Sequence, residues 1–301
     1  MERSSGILLP VFSLPGAYGI GTLGREARAF ADFLRDAGQR WWQVLPVGPT
    51  GAGNSPYTSA STFAGNPLLI DLEDLWDRGL LTEAELSAAR MPEGAAIDYA
   101  ALYETREPLL RRAFSRLDGG EAQAVRNFAA ANPWLREYAL YRALKAHFGE
   151  AAWYDWPDKA LRDHDPAALD AWRTRLADNV AFHETVQSWF FSQWKALKDH
   201  ANSLGVGIIG DLPIYVSLDS ADVWSERKEF LLDETGKPSR VAGVPPDYFS
   251  AEGQLWGNPL YDWAAQKKDG FGWWIRRVEG ASHLFDAIRI DHFRAFERYW
   301  S

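Results

Sequence analysis

The fold is decided by "GILLPVFSL" (residues 6–14) and "RWWQVLPV" (40–47), two apolar runs that flank the amphipathic segment "GREARAFADFLRDA" (24–37). The apolar residues of the middle segment recur at helical spacing, whereas the flanking runs have the length and character of buried strands. Gly38 directly follows the segment, where glycine commonly ends a helix. A strand, a helix and a second strand in this order imply a parallel pair, so the sequence predicts an α/β fold.

Two further apolar runs, each preceded by a predicted helix, extend this pattern. The sequence therefore predicts four parallel strands, at residues 7–13, 41–46, 206–212 and 286–291. Long insertions follow the second and the third strand. In open α/β sheets and in (β/α)8 barrels, the loops that carry function lie at the C-terminal ends of the strands. We therefore expect both insertions to contribute to a functional site.

The chain divides into five predicted segments. They are a first βαβ unit (1–50), an inserted subdomain that begins as a loop and is then mainly helical (51–175), a helix with the third strand (176–216), a loop-rich insertion that covers the site (217–269), and a helix with the fourth strand (270–301). The sequence contains no internal repeat and no low-complexity tract.

Composition argues against several classes of protein. The 301 residues carry a net charge of −9, which disfavours nucleic acid or an anionic membrane surface as a partner. There is no cysteine, and the six histidines lack the spacing of a metal site, so we expect neither a metal nor another cofactor. Neither a signal peptide nor an apolar run of about 18 residues is found, which predicts a cytoplasmic protein without a membrane span.

Two short glycine-rich stretches resemble nucleotide-binding motifs but lack residues or flanking structure that those motifs require. The stretch "GIGTLG" (19–24) matches the dinucleotide fingerprint G-x-G-x-x-G, but "PGAY" separates it from the preceding strand, and the next strand ends at Pro46 without an acidic residue. The stretch "GPTGAGNS" (48–55) lacks the lysine of a phosphate-binding loop, and the G-x-S-x-G of serine hydrolases is absent. A nucleotide site and a serine nucleophile are therefore disfavoured.

The segment "FDAIRIDHFRAF" (285–296) carries charged residues within an apolar run. Arg289 and Asp291 are two positions apart, so they point to the same face of the predicted strand. A neighbouring guanidinium favours the ionised carboxylate, as a nucleophile requires. A structural ion pair at the strand end explains this segment equally well.

Asp211 ends a second apolar strand, in "VGIIGDLPIYV" (206–216). A buried carboxylate without compensation is unfavourable, so Asp211 has a donor partner or faces a polar cavity. The ends of neighbouring parallel strands open onto the same edge of the sheet. Two acidic strand ends at one edge favour a functional site over a structural ion pair.

Fifteen Trp, eleven Tyr and sixteen Phe are compatible with stacking on sugar rings, although composition alone favours an aromatic core. Two loops combine such rings with polar groups. Residues 53–67 offer Ser55 and Tyr57, and residues 245–259 offer Asp247, Tyr248, Phe249, Gln254, Trp256 and Asn258. Several large aromatics on an exposed loop favour a mobile lid over a sugar chain more than a core cluster.

Four long motifs carry a family resemblance, in this order: "WWQVLPVGPTGAGNSPYTSASTFAGNPLLID" (41–71), "GDLPIYVSLDSADVW" (210–224), "VAGVPPDYFSAEGQLWGNPLYDW" (241–263) and "FDAIRIDHFRAFERYW" (285–300). The chain resembles 4-α-glucanotransferases of the amylomaltase, or disproportionating-enzyme, type from about residue 5 to its end. The resemblance implies a (β/α)8 barrel of the α-amylase type with inserted helical and loop-rich subdomains.

The resemblance implies a role for each matching residue. Asp291 corresponds to the catalytic nucleophile, and Arg289 to the arginine that holds it. Substrate contacts are implied for Ser55, Tyr57, Asp211, Asp247, Gln254, Trp256, Asn258 and His292, and Tyr248 and Phe249 fall on a flexible loop over the acceptor side. The implied reaction is retaining transfer of α-1,4-glucan segments between maltooligosaccharides or starch-like glucans through a covalent glycosyl-Asp291 intermediate.

The resemblance also implies that the acid/base glutamate, and a further aspartate that grips the sugar, lie beyond residue 301. We therefore expect the N-terminal part of a longer protein, with about the first four strands of the barrel and little or no transfer activity on its own. Two alternatives stay open. One is an α-glucan hydrolase that uses water as the acceptor, and the other is a non-catalytic glucan-binding fragment.

Overall fold

The computed structural model describes residues 3–92, 94, 96–246, 248 and 250–297. The described strands are β1 (Gly6–Leu8), β2 (Trp41–Gln43), β3 (Gly207–Leu212), β4 (Val241–Val244), β5 (Gln254–Pro259) and β6 (Ala287–Ile290). The described α-helices are α1 (Arg25–Asp36), α2 (Leu72–Asp77), α3 (Glu83–Ala88), α4 (Tyr99–Phe114), α5 (Gly119–Ala131), α6 (Trp134–His147), α7 (Lys159–Arg162), α8 (Pro166–Arg175), α9 (Ala177–Ser203), α10 (Ala221–Ser225), α11 (Trp263–Lys268) and α12 (Gly272–Leu284).

The strands β1, β2, β3 and β6 form a parallel sheet in that order. This confirms the α/β class and the parallel pairing. Each predicted strand overlaps an observed one, but all four are shorter than predicted, and of residues 7–13 only 7 and 8 lie in β1. After β1, Pro10 has no N–H to donate, and residues 11–13 turn into a 3-10 helix. Among the described residues β1 and β6 each pair with one neighbour, so the sheet is open and no closed barrel is formed.

The core of the sheet is apolar and aromatic. Trp42 on β2 and Ile208 on β3 are fully buried, and the Trp42 indole donates a hydrogen bond to the Leu9 carbonyl at 2.8 Å. On the same strand Gly210 allows a close approach, because a Cβ atom there would lie 2.1 Å from the Phe285 ring. The helix α9 packs against α1, α5, α6 and β3. These contacts fix β3 against the helical layer, and its pairing with β6 sets the register of the two strand ends.

The helical insertion after β2 contains α2 to α8, as its periodicity predicts. Most of these helices begin at a residue whose side chain accepts a hydrogen bond from a backbone N–H of the first turn, which stabilises the helix start. These capping residues are Asp71, Thr82, Asp98, Asp118, Asp158 and Asp165. None of the helices that the structure describes combines the length and the apolar character needed to cross a membrane.

The insertion after β3 has more regular structure than its sequence indicates. Besides α10 and α11 it contains an antiparallel pair, β4 and β5, in which Val244 lies opposite Gln254. The sequence signal for this hairpin is weak because Pro245, Pro246 and two glycines interrupt any alternation of polar and apolar residues. The division of the chain into five segments stays a prediction.

Candidate active site

The centre of the site is an arginine that joins two aspartates. The pairing of β3 with β6 places Asp211 directly opposite Arg289. The Arg289 Nη1 donates to Asp211 Oδ2 at 3.0 Å, and its Nη2 donates to Asp291 Oδ1 at 2.5 Å. The two acidic strand ends therefore lie together at one edge of the sheet, and a single guanidinium holds both.

Asp211 is the buried member of this cluster. Its side chain is fully shielded from solvent, and its Oδ2 also accepts a hydrogen bond from the Tyr57 hydroxyl at 2.8 Å. Burial raises the pKa of Asp211 above its ordinary value, although the Tyr57 hydroxyl and the Arg289 charge act in the opposite direction. Its other oxygen, Oδ1, has no hydrogen-bond partner among the described residues. Oδ1 is therefore a buried acceptor without a donor in the described chain, on a residue that lines a small cavity.

Asp291 is the accessible member. It directly follows β6, its backbone N–H donates to the Leu212 carbonyl at 3.0 Å, and its side chain is 40% exposed. The next residue, His292, has a left-handed backbone (φ 51°) and turns the chain away from the strand. One carboxylate oxygen is thus oriented by Arg289 while the group stays open to solvent. A carboxylate held in this way suits nucleophilic attack.

Tyr57 connects the loop after β2 with the aspartates. Burial raises the pKa of Tyr57 to about 12, and its hydrogen bond to the Asp211 carboxylate adds to this effect, so the hydroxyl stays a donor. The Ser55 hydroxyl accepts a hydrogen bond from the Tyr57 backbone N–H at 3.2 Å. Ser55 therefore shapes the turn that presents Tyr57.

The β4–β5 hairpin brings an aromatic ring to the same edge. The rings of Trp256 and His292 are 5.0 Å apart between centroids and nearly perpendicular. The Trp256 indole donates to the Gln254 side chain at 3.1 Å, and the Asn258 amide donates to the Val216 carbonyl at 2.8 Å. Asn258 thus anchors the hairpin beside β3, and Trp256 is left 36% exposed beside His292, the residue after Asp291.

Of the remaining predicted site residues, only Tyr248 belongs to the described part of the chain. Tyr248 is 99% exposed, so the structure brings it against none of the strand-end aspartates. Asp247 and Phe249 lie outside the described residues. Across the described chain, no group of three or more histidine, cysteine, aspartate or glutamate side chains is arranged to hold a metal ion.

Two residues of the site were missed by sequence reasoning. The Tyr215 ring lies 6.2 Å from the Trp256 ring and stacks on Tyr261 at 6.0 Å. It stands in "GDLPIYV", beyond the predicted third strand, where an apolar context gives no sign of a site. Arg277 lies on α12, and its helical context gives no sign of the contacts it makes. A cavity of about 60 Å³ beside Asp211 is lined by Tyr57, Tyr215 and Arg277.

A larger cavity lies elsewhere in the described part of the chain. About 580 Å³ of space is enclosed between the loop after β2 and the helices α4, α6 and α9, and neither Asp211 nor Asp291 lines it. Among the charged groups at its wall, Arg142 pairs with Glu150 and Lys145 with Asp219, whereas Arg106 donates to backbone carbonyls. Size alone would have selected this cavity, but the two strand-end aspartates lie outside it.

The family described as 4-alpha-glucanotransferase matches residues 9–301 of the chain. The chain belongs to this family. Among curated 4-alpha-glucanotransferases, that of Thermus thermophilus is 50% identical over 305 residues and that of Aquifex aeolicus is 49% identical over 301 residues. Their alignments cover 100% and 99% of this chain. The family resemblance carried by the four motifs is therefore confirmed.

Solved structures agree with this membership in the 4-alpha-glucanotransferase family. The amylomaltase of Streptococcus agalactiae, solved in complex with acarbose, superimposes with a TM-score of 0.96 at 42% identity and covers 99% of the chain. The amylomaltase of Corynebacterium glutamicum, at 18% identity and a TM-score of 0.78 over 96% of the chain, shares the fold. The chain spans about 60% of the length of these curated relatives and 61% and 40% of the two solved chains.

Proposed function

We propose that the natural protein carrying residues 1–301 is a retaining 4-α-glucanotransferase that moves α-1,4-glucan segments between maltooligosaccharides or starch-like glucans. The observation that carries this proposal is the Arg289 guanidinium, which binds Asp211 and Asp291 together at the ends of β3 and β6. Membership of the 4-alpha-glucanotransferase family supports the same reaction.

In the proposed reaction Asp291 attacks the anomeric carbon of an α-1,4 linkage. The bond from that carbon to the glycosidic oxygen breaks, and a carboxylic acid protonates the departing oxygen. The product is a glycosyl ester on Asp291. The 4-hydroxyl of an acceptor glucan then attacks the same carbon. Its proton goes to the group that acted as the acid in the first step and is now a carboxylate. The ester bond breaks, which frees Asp291 and leaves an α-linkage.

The surrounding residues are assigned to substrate binding. The free Asp211 Oδ1 suits a sugar hydroxyl, since leaving a buried acceptor unpaired is unfavourable. The rings of Trp256 and His292 offer an apolar face for a sugar ring, with Gln254 beside them. We assign substrate contacts to Ser55, Asp247 and Asn258, of which Ser55 and Asn258 also hold Tyr57 and the hairpin in place. The segment around Tyr248 and Phe249 is assigned to excluding water from the ester.

We further propose that the parallel sheet is the first part of a (β/α)8 barrel of the α-amylase type. The strand order and the open edges at β1 and β6 support this, because a barrel adds strands at such edges. Arg289 and Tyr57 already bind Asp211, the carboxyl group that shares Arg289 with Asp291 in the described residues. Asp211 is therefore not our candidate for the acid/base, and the family resemblance assigns that role to none of residues 1–301. We expect these residues alone to show little or no transfer.

Incubating the natural protein with maltotriose tests the proposal. Transfer yields glucose and a ladder of longer maltooligosaccharides, while the total number of reducing ends stays constant because each broken linkage is replaced. A steady rise in reducing ends would instead favour the hydrolase, in which water is the acceptor. Binding of acarbose without any turnover would favour the glucan-binding protein and overturn the assignment.

A further inference from the structure

Arg277 is a buried arginine that the proposed reaction does not use. It lies on α12 and is 2% exposed. Its guanidinium carbon is 5.2 Å from the ring centroid of Trp273 and 4.8 Å from that of Trp274. The two indoles surround an always-charged group with ring faces, which favours a cation in a place without solvent.

All three nitrogens of the guanidinium donate hydrogen bonds. Its Nε donates to Thr62 Oγ1 at 2.8 Å, and its Nη1 donates to the Ile214 carbonyl at 3.0 Å and to the Tyr261 hydroxyl at 3.1 Å. Its Nη2 donates to the Pro213 carbonyl. Four donor contacts from one side chain join three segments that are far apart in sequence.

Each of these segments carries a residue of the proposed site. Thr62 belongs to the loop that presents Tyr57, and Pro213 and Ile214 directly follow the end of β3 with Asp211. Tyr261 follows β5, which carries Trp256. The arginine itself lies on the helix that leads into β6, and so towards Asp291.

We infer that Arg277 is a positioning residue, which sets the relative placement of Tyr57, Asp211 and Trp256 for the proposed transfer reaction. This inference rests on the proposed function. Neighbouring contacts reinforce the junction, since the Thr62 N–H donates to Asp222 Oδ2 at 2.8 Å and the Tyr261 hydroxyl donates to the Ile214 carbonyl at 2.7 Å.

Lysine cannot replace Arg277 in this role. A guanidinium presents five N–H donors in a planar fork, whereas an ammonium presents three donors from one point. A lysine at this position would lose at least one of the four donor contacts that join the three segments, so these segments would shift relative to one another. Displacing a group at a reacting centre by about 1 Å can lower a rate on the order of 100-fold.

Arg106 provides a matched control. It is also buried, at 3% exposure, and it also donates to two backbone carbonyls, those of Ile70 at 3.1 Å and Tyr18 at 3.3 Å. Neither acceptor belongs to a segment that carries a residue of the proposed site. Arg277→Lys and Arg106→Lys should therefore lower stability in a similar way and differ in their effect on transfer.

The experiment compares both variants with the unsubstituted natural protein. For Arg277→Lys we expect kcat/KM for maltotriose to fall on the order of 10- to 100-fold, with KM raised and kcat lowered. Amide hydrogen exchange should accelerate in residues 58–64 and 211–216 under native conditions. For Arg106→Lys we expect kcat/KM to stay within about twofold and the exchange of both segments to stay unchanged.

Equal losses of kcat/KM in the two variants, or unchanged exchange in Arg277→Lys, would overturn the inference. If Arg277→Lys does not fold, Thr62→Val tests the same junction, because it removes one hydrogen bond and keeps the side-chain shape. We expect Thr62→Val to change exchange and KM in the same direction by a smaller amount, and no change in either contradicts the inference. If the unsubstituted protein transfers nothing, the proposed function fails, and exchange alone decides whether Arg277 couples the segments.

Discussion

Asp211 and Asp219 each accept hydrogen bonds from a tyrosine and a cation, but they differ in whether both carboxylate oxygens have a partner. Asp219 accepts hydrogen bonds on both oxygens: from Lys145 at 2.7 Å on Oδ2, and from the Tyr141 hydroxyl at 2.7 Å and the Trp153 N–H at 3.2 Å on Oδ1. Asp211 also has a tyrosine and a cation, but both donate to Oδ2, and Oδ1 has no partner among the described residues.

The two cations differ in the same way. Lys145 is buried, and its ammonium donates to the carbonyls of Glu150 and Ala151 as well as to Asp219. Arg289 is 44% exposed and divides its donors between two carboxylates. A fully satisfied polar network fixes a structure, whereas an incompletely satisfied one leaves groups available to a ligand. Chemistry is therefore expected at Asp211 and structural support at Asp219.

The largest expected effect is that of Asp291→Asn. The amide keeps the shape but cannot form the glycosyl ester, so transfer from maltotriose should fall on the order of 10⁴-fold or more. The side chain is 40% exposed, so the free energy of unfolding should change by less than about 0.5 kcal/mol. Steady-state kinetics and denaturant unfolding measure the two quantities. Retained transfer would show that Asp291 is not the nucleophile.

The paired substitutions Asp211→Asn and Asp219→Asn test the comparison itself. Asp211→Asn should lower kcat/KM by roughly 10²- to 10³-fold, as expected when a preorganised polar contact to the reacting sugar is lost. Asp219→Asn should lower the free energy of unfolding by about 2 kcal/mol, because the buried Lys145 loses its counter-charge. Its kcat/KM should stay within about threefold of the unsubstituted value. The reverse pattern would assign chemistry to the helical region instead.

A smaller effect is expected from the tyrosines that donate to these aspartates. Tyr57→Phe removes the hydrogen bond to Asp211 and should lower kcat/KM by roughly tenfold, equivalent to about 1.4 kcal/mol. Tyr141→Phe removes the equivalent bond to Asp219 and should lower the free energy of unfolding by about 1 kcal/mol with kcat/KM preserved. Kinetics and unfolding of the two variants side by side measure the contrast, and equal kinetic losses would argue against it.

The smallest expected effect concerns pH. The pKa of Asp211 is raised by burial above its ordinary 3.8, so the folded state binds the proton more tightly than the unfolded state. The contribution of Asp211 to the free energy of unfolding should therefore decrease as pH rises from its ordinary pKa to its folded pKa, and stay constant above. Asp211→Asn removes this contribution. The stability of the variant relative to the unsubstituted protein should thus increase across that window, and a difference independent of pH would contradict it.

Most of the sheet and the centre of the site could be predicted from sequence. The strands around Trp42 and Ile208 are short apolar runs bounded by polar segments, which is a local signal. Arg289 and Asp291 are neighbours on one strand, so their contact follows from the period of the strand. The convergence of Asp211 on them follows from parallel pairing, since both residues lie at C-terminal strand ends.

The rest depends on contacts across long separations in sequence. The β4–β5 hairpin follows from pairing that its prolines and glycines conceal. The junction at Arg277 joins residues up to 215 positions apart, as in its bond to Thr62, and no local pattern indicates it. The roles of Gln254, Trp256 and His292 came from the family resemblance, because an exposed aromatic or amide in a loop has no spacing that specifies a ligand.

The decisive experiment is to trap the covalent intermediate. The natural protein is incubated with 5-fluoro-α-glucosyl fluoride, whose electron-withdrawing fluorine slows the breakdown of a glycosyl ester, and peptides are then mapped by mass spectrometry. We predict a 5-fluoroglucosyl adduct on the peptide that contains Asp291, and no adduct in the Asp291→Asn variant. An adduct on a different residue, or turnover of the fluoride without any adduct in both proteins, would contradict the assignment of Asp291 as the nucleophile.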